Sequence, residues 1–386
     1  MHYLDHAATT PLDPRVREAM LPFLDGAFGN PSSIHRAGQE AKRAVEAARR
    51  QVAELVGAKA PDVIFTGSGT EADNLALFGL TEAKGLKGAH IVISAIEHHA
   101  VLHAADRLER LGAEVSRVAP NSSGRIEVDS LLAALRPGTR LVSVMWVNNE
   151  TGVVQPISEL AAALGQRQIL FHTDAVQAAG HLSISFSELG AAALSLSAHK
   201  LSGPKGVGAL VVRAGVPIDP LLVGGAQERS RRAGTENVAG IVGFGRAAEL
   251  WRLEQADRQR KLEDLGRQLR TGLAAISGAN FHGEGADKVG HIVNVRFSGV
   301  DGEALLLNLD LADVAASSGS ACTSGSLDPS HVLMAMGLDR AQASGAVRFS
   351  LGVASTAKDV AAAVLATGQV VDRLRRLTGP SGEAAR

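Results

Sequence analysis

Between residues 37 and 56 (AGQEAKRAVEAARRQVAELV) apolar positions recur at helical spacing, and Gly57 closes the run. Beyond it, short β-rich runs alternate with helical ones. The pattern predicts strands at Val63–Thr66, His90–Ser94, Glu114–Val118, Arg140–Val147, Ile169–Thr173, Ala193–Ser197 and Val207–Val212. Helical patterns such as Glu71–Ala83 and Val101–Leu111 fall between the earlier strands. Strands that are apolar throughout, alternating with helices, imply a largely parallel sheet covered on both faces. In such sheets ligands bind beyond the carboxyl ends of strands. From about residue 236 the character changes: a long charged helical stretch (Val238–Ile276), a strand-like run (His291–Phe297), a helix near Gly302–Leu309 and a closing helix near Lys358–Leu377. The expected division is a large unit over residues 15–235 and a smaller α+β unit from residues 1–14 with 236–386.

Composition narrows the class. At 386 residues, with 45% hydrophobic and 20% charged, the chain can bury a substantial core. A net charge of −1 supplies no positive field for nucleic acid or an anionic membrane. Aromatics at 3% argue against base-stacking platforms. The single cysteine cannot form an internal disulfide, so no oxidising compartment is indicated. The N-terminus has neither a basic start nor an apolar signal core, and no run approaches the roughly 18 apolar residues of a membrane helix. The expected location is the cytoplasm.

Candidate chemistry sits where strands end. SLSAHK (195–200) puts Lys200 just past an apolar strand, beside Ser197, His199 and a glycine-rich turn. Alone, such a lysine reads as solvated surface; with hydroxyl and imidazole donors converging on it, it reads as a Schiff-base amine near a phosphate. HTDAVQ (172–177) ends another strand. Asp174 either caps a following helix or pairs with a pyridinium nitrogen, and Gln177 could donate to a ring hydroxyl. FTGSGTEADN (65–74) is a strand, a glycine turn and a helix start; Thr70 and the free amides there make a phosphate cradle or a plain cap. His99 and His103 in EHHAVLH invite a metal reading, but no third ligand has suitable spacing nearby. A histidine stacked on a cofactor ring and relaying protons is the better functional reading, against a buried structural histidine. Cys322 lies in AASSGSACTSGS (315–326), a small-residue run without periodicity. That context predicts a mobile, exposed loop and a travelling nucleophile rather than an inert core thiol. Arg348, in the strand-like VRFSLG, has the fork that grips a carboxylate, although a strand arginine is more often a surface ion-pair partner.

In order along the chain, YLDHAATTPLDPRV (3–16), FGNPSSIHRAGQEAK (28–42), FTGSGTEADN, EHHAV, VNNETG (147–152), HTDAVQ, SLSAHKLSGPKGVG, RRAGTEN (231–237), SSGSACTSGS and VRFSLG resemble the cysteine desulfurases. These are the NifS/IscS-like branch of the fold-type I, class V pyridoxal-phosphate enzymes. The resemblance implies an α/β fold with a mostly parallel seven-stranded sheet between helices and a smaller α+β domain. It implies pyridoxal 5′-phosphate attached to Lys200, with Asp174 on the pyridine nitrogen, Gln177 on the ring hydroxyl and His98 stacked and shuttling protons. Gly69, Thr70, Ser197 and His199 should hold the phosphate, and Thr235 should reach the phosphate of a second subunit in a homodimer. Asn149 should contact cofactor or substrate, Arg348 should clamp the carboxylate of L-cysteine, and Asn30 and His35 should line the site. Cys322 should carry the sulfur as a persulfide to an iron–sulfur scaffold or other acceptor protein. No metal, nucleic acid or membrane partner is implied.

Rival readings keep the fold and change the chemistry. A selenocysteine lyase works without the thiol nucleophile, and an aminotransferase needs a 2-oxo acid and no thiol. A non-catalytic scaffold would be expected to lack Lys200 or Asp174, and both are present.

Overall fold

The computed structural model describes residues 1–83, 85–318 and 328–378. Strands in chain order are β1 (His2–Tyr3), β2 (Val63–Thr66), β3 (His90–Ser94), β4 (Glu114–Val118), β5 (Thr139–Ser143), β6 (Leu170–Asp174), β7 (Ala193–Ser197), β8 (Gly208–Val212), β9 (Ala279–Phe281), β10 (Ile292–Phe297), β11 (Val314–Ala315) and β12 (Ala346–Ser350). Seven form one sheet in the order β2-β8-β7-β6-β5-β3-β4. Its β7-β6-β5-β3-β4 stretch is parallel, while β8 runs antiparallel to both β7 and β2.

The expected sheet is therefore present, and the reason is visible in the strands. β3 (HIVIS) and β7 (ALSLS) are buried at every position, as a sheet covered on both faces requires. β4 (EVSRV) keeps exposed charged positions and lies at the sheet edge. One expectation is corrected: the run Arg140–Val147 is a ladder strand only to Ser143. Past that point the backbone bonds to β6 continue, from Val144 N to His172 O at 3.2 Å and from Trp146 N to Asp174 O at 2.8 Å, but on the β3 side the Met145 amide donates to the Glu97 carboxylate at 2.7 Å.

Helices cover the faces. Gly69–Glu82 packs on the sheet through Ala72, Leu75, Ala76 and Leu80, all essentially inaccessible. On the other face, Arg36–Leu55 packs against Val238–Ala274. Gly245 permits that crossing: a Cβ there would lie 2.6 Å from Ala48 Cα. The C-terminal part holds an antiparallel sheet ordered β12-β10-β9, helices Gly302–Leu311 and Ala357–Thr378, and the small parallel pair β1-β11. β1 thus joins the N-terminus to the C-terminal part, and an Asp5–Ser350 bridge extends the association.

The segment before Thr235 is held unusually. Glu228, Arg229 and Ser230 have φ of 47°, 59° and 63°, a left-handed run that non-glycine residues adopt at a cost. The buried Glu228 carboxylate accepts from Arg49 at 2.6 and 2.8 Å and from the Phe65 amide at 3.1 Å, which fixes the conformation.

Candidate active site

Where the parallel strands end, three segments converge. β6 delivers Asp174 at its last position, and β7 delivers Ser197, after which a short turn (Ala198–Lys200) carries His199 and Lys200. The two strands are neighbours, with Asp174 paired to Ser195, so the amine and the carboxyl share one edge of the sheet. The helix Gly69–Glu82 starts beside them. Its cap is Ser68, whose side chain accepts from the Glu71 amide at 3.0 Å. The first helical amides, Gly69 and Thr70, have no intrahelical acceptor and meet the positive end of the helix dipole. Gly69 keeps this floor open: a Cβ would sit 3.1 Å from both Ser197 Cβ and Val176 Cγ2. Glu71 braces the turn by accepting from the Gly67 amide at 2.7 Å and from Arg232 at 2.7 and 3.2 Å.

Ser68, Gly69, Thr70, Asp174, Ser197, His199 and Lys200 line one pocket of about 320 Å³, together with His98, Asn149, Gln177, Arg348, Ala7 and Ala8. A larger cleft of about 670 Å³, between residues 11–15 and the long helix, is lined by ion-paired Asp13, Arg15, Glu254 and Arg258 and contains none of them. Size alone would have selected the wrong cavity.

The N-terminal segment closes the pocket. Lys200 Nζ donates to the carbonyls of Ala7 and, at 2.8 Å, Ala8. Gln177 Nε2 donates to Ala7 O at 2.9 Å, and Thr10 Oγ1 to His199 O at 2.6 Å. Thr9 Oγ1 lies 3.1 Å from His199 Nδ1. Arg348 is fully buried; its Nη1 donates to Asn149 O and its Nη2 to Asp5 Oδ1, both at 2.8 Å. Those bonds take one N–H of each terminal nitrogen, and the guanidinium lines the pocket with the rest. If Arg348 grips the carboxylate of L-cysteine, as the resemblance implies, replacing it by lysine keeps the charge and loses the fork, and KM should rise about 10–100-fold with a smaller change in kcat; steady-state kinetics checks this, and an unchanged KM would remove Arg348 from that role.

Burial tunes the ionisable groups. Asp174 Oδ1 accepts from the Val176 amide at 2.8 Å; burial pushes the carboxyl up to about 6, while that amide and Lys200 pull it back. Asp174 therefore makes the local turn and faces the pocket as well. His98 caps the helix His99–Arg110 by accepting the Ala100 amide on Nδ1 at 3.1 Å, so its neutral ring carries the proton on Nε2. Burial, then Lys200 and the neighbouring histidines, lower it to about 4. His199 is likewise lowered to about 4 by burial and Lys200. Beside His98 other imidazoles cluster: the His99 ring lies 5.0 Å from His103 and 4.8 Å from His331, tilted to both.

Glu97 is wholly buried. Its Oε1 accepts from Ser94 at 2.5 Å and from Met145 N at 2.7 Å, while Oε2 has no hydrogen-bond partner among the described residues, and burial pushes the group up to about 8 from 4.5. A carboxyl raised in the fold stabilises fully below its unfolded pKa, and the benefit is lost as pH climbs to the folded value. Glu97→Gln, which cannot ionise, should therefore gain stability over the natural chain as pH rises from 4.5 towards 8; a melting-temperature gap that stays constant across that window would contradict a proton held on Glu97.

Three expected site residues stand outside this pocket. Asn30 is exposed and turns the chain by accepting from Ser32 N at 2.9 Å; exposed His35 caps Arg36–Leu55 through Gly38 N at 3.3 Å; Thr235 is exposed as well. Cys322 lies outside the described residues. Six pocket residues escaped the sequence reading: Ser68, Asp73, Met145, Val176, and Ala7 and Ala8 with their carbonyls. Ser68 had a signal, a serine three residues before Glu71 at a helix start. Backbone carbonyls carry none.

Comparison with known proteins gives the family. The aminotransferase class-V family model matches residues 2–363. The chain belongs to that family of pyridoxal-phosphate enzymes. A curated relative, the cysteine desulfurase IscS of Dictyoglomus turgidum, is 46% identical over 97% of this chain and 96% of its own length. Among solved structures, a NifS-like protein superposes with a TM-score of 0.90 at 35% identity, covering 96% of this chain and 99% of that one. SspA in complex with cysteine gives 0.82 at 34%, covering 92% and 99%.

Proposed function

We propose that the pocket around Lys200 holds pyridoxal phosphate and L-cysteine, and that sulfur leaves it as a persulfide on Cys322. The chain is a cysteine desulfurase. The observation that carries the site assignment is the convergence of Lys200, Asp174, His98, Gln177, the Gly69–Thr70 helix start and Arg348 on one pocket. The donor set fits the cofactor end to end: amides and hydroxyls for a phosphate, a buried carboxyl for a ring nitrogen, an amine for an aldehyde.

When bound, pyridoxal phosphate supplies an aldehyde for the amine and a ring that accepts the electron pair released at the substrate α-carbon. The side chains do the rest. Lys200 would hold the cofactor through its amine and, when that amine is free, would take the α-proton. Asp174 keeps a proton on the ring nitrogen. Gln177 donates to the ring hydroxyl, and Ser197, His199 and Thr70 hold the phosphate. His98, neutral near pH 7, stacks on the ring and moves protons on its pocket side. Arg348 holds the substrate carboxylate and Asn149 borders it. The Cys322 thiolate attacks the substrate sulfur: an S–S bond forms, the substrate C–S bond breaks, and the carbon skeleton takes up a proton and leaves as L-alanine. No external oxidant is needed, because the carbon gains the electrons that the sulfur loses. The tether supports this role. Ser317, which leads into the segment carrying Cys322, exchanges backbone hydrogen bonds of 3.1 and 2.6 Å with Arg348.

The working unit is a homodimer in which Thr235 serves the other subunit's phosphate and Asn30 and His35 line a site completed by two chains. Support comes from large apolar side chains left exposed around these residues: Phe28 (86%), Ile34 (94%) and Val223 (82%). The persulfide passes to an iron–sulfur scaffold or another acceptor protein, in the cytoplasm. No helix among the described residues is long and apolar enough to cross a membrane.

The decisive experiment incubates the purified holoprotein with L-cysteine and a reductant. Alanine and sulfide should appear in equal amounts. Alanine formation that depends on an added 2-oxo acid, without sulfide, would assign an aminotransferase instead.

A further inference from the structure

Asp73 lines the pocket, and nothing in the mechanism above uses it. It projects from the second turn of the helix Gly69–Glu82, is 2% exposed, and its Oδ1 has no hydrogen-bond partner among the described residues. Behind it runs a buried polar seam: Ser143 Oγ lies 2.9 Å from His172 Nδ1, and His172 Nε2 lies 2.9 Å from Ser195 Oγ and 3.7 Å from Asp73 Oδ1. His172 and Asp174 are two residues apart on β6, and Ser195 is paired with Asp174 on β7, so all three share one face of the sheet, the face that this helix covers. Burying a second carboxyl there is costly without a function.

Two carboxyl groups buried in one pocket do not both ionise readily; one retains a proton. The surroundings decide which. Asp174 has the Val176 amide and the Lys200 ammonium to favour its anion. Among the described residues Asp73 has the Ser195 hydroxyl to favour its anion, and it faces the like charges of Asp174 and Glu97. His172, wholly buried, is lowered to about 3 and stays neutral, so it supplies no counter-charge. A protonated carboxyl is a donor, and an unpaired buried donor is expensive.

We propose that Asp73 is a positioning residue for the cofactor's ring nitrogen: a carboxylic acid kept neutral, which donates towards Asp174 and holds that carboxylate in its ionised form. The proposal rests on reading the pocket as a pyridoxal-phosphate site, and it adds a second carboxyl to the machinery that sets the ring's protonation. Neutral carboxylic acids serve as donors in other buried enzyme sites. Charged and titratable groups around the pair are Glu97 after β3, His172 on β6 and Lys200 after β7, with His98, His199 and Arg348 lining the same pocket.

Two variants separate this from a packing role and from an Asp73–His172 ion pair. Asparagine at position 73 keeps a donor and removes the ability to ionise; leucine keeps the volume and removes the donor. The readouts are the cofactor affinity of each apoprotein, the pH titration of visible absorbance without substrate, and the melting temperature of the apoprotein. Asp73→Asn should bind cofactor within about twofold of the natural chain and titrate in the same range. Asp73→Leu should bind about tenfold or more weakly, the loss expected for a hydrogen bond to a charged group, and its titration should shift. An Asp73→Asn titration displaced from the natural one would show that Asp73 carries charge and would overturn the proposal, whether or not the leucine variant folds. So would a folded Asp73→Leu indistinguishable from the natural chain. If the natural chain itself shows no Lys200-dependent absorbance, the cofactor reading fails first, and that outcome is read before either variant is made.

Discussion

Lys200→Ala is expected to abolish the visible absorbance of the holoenzyme and to lower sulfide release from L-cysteine by about three orders of magnitude or more. The lysine is asked to supply both the covalent attachment and the base that removes the α-proton, and neither has a substitute nearby. His98 and His199 are both lowered to about 4 by burial and by Lys200 itself, which makes them poor bases near pH 7. The fold should survive, because the visible cost is the loss of bonds to two backbone carbonyls, each worth about 1 kcal/mol. Absorbance, circular dichroism and coupled alanine–sulfide assays check the three statements together. A yellow, fully active alanine variant would refute the attachment site and, with it, the meaning given to Asp174.

Cys322→Ser should separate cofactor chemistry from sulfur transfer. The variant should retain the cofactor absorbance and respond spectrally to L-cysteine, yet release sulfide at least about 100-fold more slowly, since a serine hydroxyl is far less acidic and less nucleophilic towards sulfur than a thiolate. Selenide release from selenocysteine, measured on the same sample, tests the lyase alternative. Normal desulfuration of cysteine by the serine variant would remove the persulfide step and leave the residue without a role.

The hydrophobic pattern was enough to determine a great deal. Continuously apolar strands set between helical periods already call for a covered parallel sheet, and the ends of HTDAVQ and SLSAHK already place Asp174 and Lys200 one strand–helix–strand step apart. Buried strands have no polar face and must be paired on both sides, so their order of appearance strongly limits the topology. Local signals placed this helix from Glu71, two residues inside its observed start at Gly69, because the cap is Ser68, a choice made by backbone geometry.

Tertiary structure alone decided the rest. The carbonyls of Ala7 and Ala8 meet Lys200 because β1 is carried to β11 and Asp5 to Ser350, contacts between opposite ends of the chain that no local pattern encodes. Arg348 reads locally as an ordinary strand arginine; only the fold buries it between Asp5 and Asn149. Asp73, within a motif that drew notice for its neighbours, looks like a solvated helix aspartate until the sheet is laid beneath it. Periodicity reports which face of an element is apolar. It does not report which polar group on that face is brought against another, because that depends on pairings between residues far apart in the chain, and those pairings set the burial and the neighbouring charges that give a side chain its chemistry.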